Sequence, residues 1–219
     1  ESRFGAWPAG DVPPLASAAP PPAQPRSFVL VDKPGAPQSV IRIGNVGTAR
    51  STPDYYPIQV MNTLLGGSFS SRLNQNLRET HGYTYGAGSQ FEMRRLAGPF
   101  RASASVATGV TDSSVVEFLK ELRRIRDEAV PAQELAKTRQ LLALGLPGDF
   151  ETSASAAGRF VDVLVNDLPA DTWDRYIDGV SKVTPADVQR VARQYIDPDH
   201  FVMVVVGDRK EIEARLKNL

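Results

Sequence analysis

The sequence of 219 residues contains no cysteine and only two histidines, His81 and His200. The absence of cysteine excludes disulfide bonds, thiolate catalysis and zinc sites built from cysteine. Neither histidine lies in HExxH or HxxEH, the spacings that place two imidazoles around zinc on one helical face. We therefore expect no metal site and no cofactor in this chain.

The sequence also lacks net charge and long hydrophobic runs. Its 25 basic and 25 acidic side chains cancel, and no block of Lys and Arg offers the usual phosphate contacts of a nucleic-acid-binding protein. The most apolar runs, such as FVMVVV at 201–206, are far shorter than the ~20 residues that span a membrane. No nucleic-acid partner and no membrane span are expected.

Other catalytic motifs are missing as well. There is no GxSxG segment to present a nucleophilic serine, and GGSFSSR at 66–72 lacks the GK[ST] ending of a phosphate-binding loop. A serine hydrolase and a nucleotide-binding protein are therefore both disfavoured.

Proline is concentrated near the amino end, in WPAGDVPPLASAAPPPAQP at 7–25. This composition predicts a solvated linker or domain-connecting segment over residues 1–25, with a proline-rich ligand for a partner module as the alternative. The folded domain is expected to occupy residues 26–219. The first residue is Glu1, not Met, which suggests a piece of a longer protein.

The remaining chain alternates strand and helix patterns. RSFVLVDK and QSVIRIGNVG predict an antiparallel hairpin, TYGAGSQFEMRR and FRASASVATG a second one, and HFVMVVVGD a late strand. Helices are predicted from residue 53 to a left-handed cap at Gly66, and over most of 111–196, with Thr184 and Asp187 forming a capping box. In the helix after Thr111, Glu117 and Glu121 are expected on a solvated face. These elements predict an α+β two-layer sandwich, with helices packed on one face of a mainly antiparallel sheet.

Arg78 and Tyr85 are the candidate catalytic residues. Arg78 lies near the end of the predicted short helix SSRLNQNLRET, Gly82 can break that helix, and Tyr85 starts the next strand. A guanidinium and a phenol are both donors suited to a carbonyl oxygen or an oxyanion. The alternative is structural: Arg78 pairs with Glu79 or another surface acid, and Tyr85 packs in the core.

The stretch LLGGSFSSRLNQNLRETHGYTYGAGS resembles the C-terminal, non-zinc homologous domain of the pitrilysin/insulinase zinc metallopeptidases, especially the bacterial members and the subunits of mitochondrial processing peptidase. The shared pattern is LGG, then SRLxxxLRE, a turn glycine and a tyrosine. Tyr83 replaces the usual leucine, a departure that affects packing and leaves Arg78 and Tyr85 in place. The resemblance extends through VTPADVQRVARQYI and the terminal VVVGD, and so covers the chain after residue 25.

The resemblance implies half of a peptidase site. In that family a zinc-bearing half carries HxxEH, and the homologous half contributes an arginine and a tyrosine seven residues apart, which Arg78 and Tyr85 match. It also implies proximity of Gly66, Gly67 and Ser68 to the substrate. His81, beside this motif, is expected at an exposed helix end and not as a ligand.

From this resemblance we expect a peptide substrate, a partner domain or subunit that binds zinc, a dimeric assembly of the full protein, and a bacterial periplasmic or exported location in slight preference to the cytoplasm. On its own the chain should be inactive. Two alternatives remain: a non-catalytic structural homologue like the core subunits of respiratory complexes, and a stand-alone peptide-binding module that adds a strand to a sheet edge.

Overall fold

The computed structural model describes residues 2–3, 5–8, 10–11, 21–22 and 25–217. Much of the predicted linker therefore lies outside the described residues, and the division at residue 25 stays a prediction. Within 25–217 the chain forms one sheet and a layer of helices.

Five strands form the sheet in the order β1-β5-β2-β4-β3. Their bounds are Ser27–Asp32 for β1, Gln38–Val46 for β2, Thr84–Phe91 for β3, Pro99–Ala107 for β4 and Val202–Gly207 for β5. Strands β1 and β5 are parallel, and the other neighbouring pairs are antiparallel. Strand β3, which carries Tyr85, therefore lies at one edge of the sheet.

The predicted hairpin of the first two strands is wrong, because β5 lies between them. Strand β5 pairs with β1 on one side and with β2 on the other. The chain crosses the end of β5 at Gly35, which has a φ of +71° and whose N–H donates to Asp208 Oδ2 at 2.7 Å. A turn that could close a hairpin instead spans two strand spacings. The second predicted pair, β3 with β4, is confirmed.

The helices follow the predicted pattern, with some differences at their ends. Their bounds are Tyr55–Asn62 for α1, Arg72–Asn74 for α2, Thr111–Asp127 for α3, Ala132–Gly145 for α4, Ser153–Val165 for α5, Tyr176–Lys182 for α6, Pro185–Tyr195 for α7 and Arg209–Leu216 for α8. Two π-helical turns, Thr63–Gly67 and Gln75–Thr80, extend α1 and α2. The capping box of Thr184 and Asp187 at the start of α7 is confirmed.

Alternation along β4 shows the two layers. Phe100, Ala102, Ala104 and Val106 are buried, while the intervening residues from Arg101 onward are exposed. The helices supply the other side of this core, for example through Phe118 and Leu122 of α3, both fully buried. The α+β two-layer sandwich predicted from the sequence is confirmed, with one sheet face covered by helices and the other left open.

Candidate functional site

Arg78 lies on a short helical segment whose inner side packs in the core. Leu73 and Leu77 of this segment are fully buried, which leaves Arg78 on the outer side. The segment ends where the Gly82 N–H donates to the Arg78 carbonyl at 3.0 Å and Gly82 adopts a φ of +65°. The predicted role of Gly82 as a helix breaker is confirmed, since a left-handed backbone favours glycine.

The Arg78 side chain is partly exposed and has two neighbours. Its Nε lies 3.3 Å from Glu79 Oε1, and its guanidinium carbon lies 4.4 Å from the centre of the Phe69 ring. The ion pair with Glu79 is the one considered as the structural alternative. Such exposed pairs contribute little free energy, so the guanidinium can exchange Glu79 for another acceptor at small cost.

Tyr85 does not pack in the core; 89% of it is exposed. The register between β3 and β4 shifts between Thr84 and Ala87, where Tyr85 and Gly86 together oppose one residue of β4. This is a β-bulge, in which the extra residue turns a side chain away from its regular direction. Without it, Tyr85 would share the buried face of Ala87 and Ser89.

Two side chains hold the bulge in place, and the sequence pattern did not single out either. The Thr84 hydroxyl donates to the Ser105 carbonyl at 2.6 Å and accepts from the Gly86 N–H at 3.1 Å. Buried Asn74 accepts from the Ala87 N–H at 2.9 Å and donates to the Ser68 carbonyl at 3.1 Å. Asn74 thus ties the bulge to the loop before Arg72. Asn74 lies within the predicted helix SSRLNQNLRET, and helical periodicity does not show that its amide will bond to a strand.

Arg78 and Tyr85 are brought to adjoining elements but do not bond to each other in the described structure. Strand β3 packs against the Gln75–Thr80 turn, and the Tyr83 N–H bonds the Leu77 carbonyl at 2.8 Å. The Tyr85 hydroxyl makes no hydrogen bond with any residue between 25 and 217 or in the described stretches before them. Both side chains therefore present donors to solvent from adjoining elements.

Gly66 is not a left-handed cap, which corrects the prediction for this residue. It lies inside the π-helical turn, and a Cβ built on it would meet the backbone nitrogen of Ser89 at 2.3 Å. Glycine is needed there because the turn packs directly onto β3, a contact that local sequence does not show. Gly66 and Gly67 line a surface pocket of about 560 Å³, whereas Ser68 turns its hydroxyl back to the Thr63 carbonyl.

The predicted solvated face of α3 is also corrected, because Glu121 is only 2% exposed. The amide of Asn76 donates to Glu117 Oε2 at 2.7 Å and to Glu121 Oε1 at 2.8 Å, which brings both acids under the Arg78 segment. Burial acts to raise the pKa of Glu117, but hydrogen bonds from Asn76 and Lys120 outweigh it and hold that pKa below its usual range.

Two further residues of the motif have structural partners. Buried Arg72 makes a bidentate ion pair with Glu134 of α4, with both contacts at 2.8 Å. His81 stacks on Tyr83 with ring centres 4.9 Å apart, and its Nε2 lies 3.8 Å from Glu117. His81 is exposed at the helix end, as expected. Within the described residues no group of three His, Cys, Asp or Glu side chains could hold a metal ion.

Comparison with known proteins places this fold and motif in a family. The family model described as the peptidase M16 inactive domain matches residues 1–142. The chain therefore belongs to the peptidase M16 inactive-domain family, which confirms the resemblance to pitrilysin-type zinc peptidases. A curated relative, an uncharacterized zinc protease of Streptomyces coelicolor, is 27% identical over 189 residues and is matched over 81% of this chain.

Solved structures show the same fold. A peptidase M16 inactive domain from Pseudomonas fluorescens matches 89% of this chain with a TM-score of 0.81 and 22% identity. A protease from Helicobacter pylori matches 90% with a TM-score of 0.82 and 20% identity. The chain spans 46% and 48% of these two structures, and 38% of the Streptomyces relative.

No helix among the described residues has the length and apolar character that crossing a membrane requires.

Proposed function

We propose that this chain is the substrate-supporting half of a zinc peptidase, and that Arg78 and Tyr85 hold the carbonyl oxygen of the peptide bond being cleaved. The zinc ligands belong to another domain or to a partner subunit with an HxxEH motif. The observation that carries this proposal is the bulge at Tyr85, which turns a tyrosine hydroxyl into solvent and is held by buried Asn74.

The chemistry needs donors where negative charge develops. Attack of water on a peptide carbonyl forms a tetrahedral oxyanion, which preorganised N–H and O–H donors stabilise more than they stabilise the planar substrate. Tyr85 supplies a hydroxyl that no described residue engages, and Arg78 supplies a guanidinium whose described ion pair is a weak surface contact with Glu79. Zinc bound in the other half would supply the activated water.

Strand addition at β3, the route open to a stand-alone peptide-binding module, is less well supported. A free sheet edge must offer unpaired backbone groups, yet the Ala87 N–H is already bonded to Asn74 at 2.9 Å. The π-helical turn at Gly66 also packs against β3 at Gly88 and Ser89. This strand serves better as a support for Tyr85 than as a docking edge.

The test is steady-state cleavage of a short quenched peptide by this chain assembled with its zinc-bearing half. Tyr85→Phe removes one donor and Arg78→Ala removes a charge-assisted contact, while neither side chain is buried. We expect each change to lower kcat by about 10- to 1000-fold with a smaller effect on KM, the pattern of an interaction made mainly in the transition state.

Two matched variants control for general effects of tyrosine and arginine substitutions. Tyr56→Phe alters a hydroxyl on α1 that has no described hydrogen bond, and Arg175→Ala removes another arginine, whose described ion pair is with the nearby Asp171. Both should keep wild-type turnover. Undiminished turnover in a folded Arg78→Ala, Tyr85→Phe double variant would contradict the proposal, as would a wild-type assembly that cleaves no peptide, the result expected of a purely structural homologue.

A further inference from the structure

The open face of the sheet carries a concentration of arginine beside the candidate site. Arg42 of β2 lies opposite Ser103 of β4, and Ser103 lies opposite Gly88 of β3. Arg101 lies two residues before Ser103 on β4, on the same face, and opposite Gln90 of β3. Since residues paired directly across a sheet share a face, these side chains all project away from the helix layer.

Together they form a pocket of about 560 Å³. Ser103 and Gly88 provide a floor of small residues, which leaves room between the longer side chains. The remaining wall comes from Asn62, from Ser89 of β3, and from Gly66 and Gly67 of the π-helical turn. The pocket therefore joins the open sheet face to Gly66 and Gly67, for which the family resemblance implies proximity to substrate.

The pocket is positively charged and incompletely neutralised. Arg42 is exposed and makes no hydrogen bond or ion pair with any residue that the structure describes, while Arg101 pairs with Glu92. Arg42 and Arg101 are diagonal neighbours on adjoining strands, a spacing within reach of two long side chains. Two like charges at this distance repel each other, and a bound anion would relieve the repulsion.

We propose that this pocket binds an acidic side chain of the peptide substrate, with Arg42 as the main contact. Arginine offers a planar fork of donors that matches a carboxylate in bidentate fashion. The choice of a peptide carboxylate rests on the proposed peptidase function. The pocket residues of β3, Gly88 to Gln90, lie three to five positions beyond Tyr85, or about 10–16 Å along an extended chain. The acidic residue is therefore expected three to five positions from the cleaved bond.

Direct binding to this chain tests the pocket without any catalysis. The probes are hexapeptides that are blocked at both ends and contain either one Glu or one Gln. Their binding is measured by NMR titration at low salt. We expect the Glu peptide to bind at least about tenfold tighter, and this preference to weaken in 0.5 M NaCl because exposed charges are screened. A third probe, with neutral side chains and a free C-terminal carboxylate, distinguishes binding of an acidic side chain from binding of the C-terminus of a peptide.

Arg42→Gln should remove most of the preference for Glu, while Arg123→Gln, at an exposed arginine on α3, should retain it. Because Arg42 is exposed and faces a like charge, its substitution should leave the melting temperature unchanged or higher, which keeps a folding defect apart from a binding defect. Equal binding of the Glu and Gln peptides, an undiminished preference in Arg42→Gln, or binding of only the free-carboxylate probe would each overturn the assignment.

A last comparison separates this proposal from the peptidase function itself. Tyr85→Phe should keep the preference for the Glu peptide over the Gln peptide, because Tyr85 lies outside the pocket. In the assembled peptidase, a series of neutral peptides would carry a single Glu at different positions. A Glu three to five positions from the cleaved bond should raise kcat/KM about tenfold over the all-neutral peptide, and Arg42→Gln should reduce this increase. If the chain bound the Glu peptide selectively but Tyr85→Phe had no effect on cleavage, the proposed role of Tyr85 in the peptidase would be contradicted and the proposed pocket would not.

Discussion

At the scale of single residues, glycine serves two different needs beside the candidate site. Gly82 has a positive φ, which glycine adopts without strain and other residues rarely do. Gly66 has no such backbone angle, but the π-helical turn approaches β3 so closely that a side chain would meet the Ser89 backbone. The close packing at Gly66 sets the distance between Gly66, Gly67 and the strand that carries Tyr85.

Gly66→Ala should therefore destabilise the domain. The added Cβ would lie 2.3 Å from the Ser89 nitrogen, so the turn or β3 must move. We expect a loss of about 3 kcal/mol, near the upper end of the usual range for overpacking, measured by denaturant unfolding monitored by circular dichroism.

Gly158→Ala is the matched control, because Gly158 lies within α5 and nothing is found within 4 Å of its added Cβ. This change should stabilise the domain by about 0.5–1 kcal/mol, the helix preference for alanine over glycine. If Gly66→Ala proved as well tolerated as Gly158→Ala, the close packing of the turn on β3 would be contradicted.

The sequence allowed some of these residues to be predicted but not others. Gly82 follows a helical pattern and precedes a strand pattern, so its turn role depends on neighbours in the chain and could be anticipated. Gly66, Asn74 and Glu121 depend on partners 13 to 45 positions away. Periodicity treats Glu121 as a surface charge, since it does not show that Asn76 will cover it.

At the scale of elements, the same limit explains the misplaced first hairpin. Strands β1 and β2 are separated by a short turn, which favours pairing of neighbours. Strand β5, about 170 residues later, enters between them and supplies Val205 and Met203 to the core. The type of each element could be read from local pattern, but the order of the strands depends on a contact between the two ends of the domain.

Asp54 links two elements of the helix layer, the start of α1 and the second half of α7. Arg190 donates to its Oδ1 at 2.7 Å, and the Tyr195 hydroxyl donates to its Oδ2 at 2.8 Å. The hydrogen bond from Arg190 is the main cause that holds the pKa of Asp54 below its ordinary value of 3.8, against the opposing effect of burial. The folded state therefore favours the ionised carboxylate.

This contact should make stability depend on pH. A lowered folded pKa gives stability that is fully present above the unfolded pKa and is lost as the pH falls through the folded value. We expect Asp54→Asn to be less stable than the wild type at pH 7, and the difference to shrink as the pH falls below 3.8. Denaturant unfolding across this range measures it.

Asp174→Asn, at an exposed acid with no described hydrogen bond or ion pair, is the comparison variant and should track the wild type. A difference between Asp54→Asn and the wild type that stayed constant from pH 7 into the acid range would show that the ionised carboxylate is not what joins α1 to α7.

At the scale of the whole molecule, the chain spans about half the length of the two solved relatives compared above. Its helices cover one face of the sheet, while the other face carries the arginine pocket. Tyr85 lies on β3, the strand at the edge of the sheet next to this pocket. Donors and positive charge thus lie on exposed parts of this chain. This arrangement supports the proposal that a zinc-bearing half meets it and that the substrate lies between the two.

The last prediction concerns the division of the chain at residue 25. The buried core cluster of the described residues is built from positions 41 to 216, and the segment before residue 25 is rich in proline and alanine, which bury little apolar area on folding. Deletion of residues 1–25 should therefore leave the cooperative melting transition within a few degrees of the wild type, the shift that a loss of about 1 kcal/mol produces in a domain of this size. Calorimetry of the full and shortened chains measures this shift. A melting temperature lower by about ten degrees would mean that the segment packs on the domain, and the boundary at residue 25 would then be wrong.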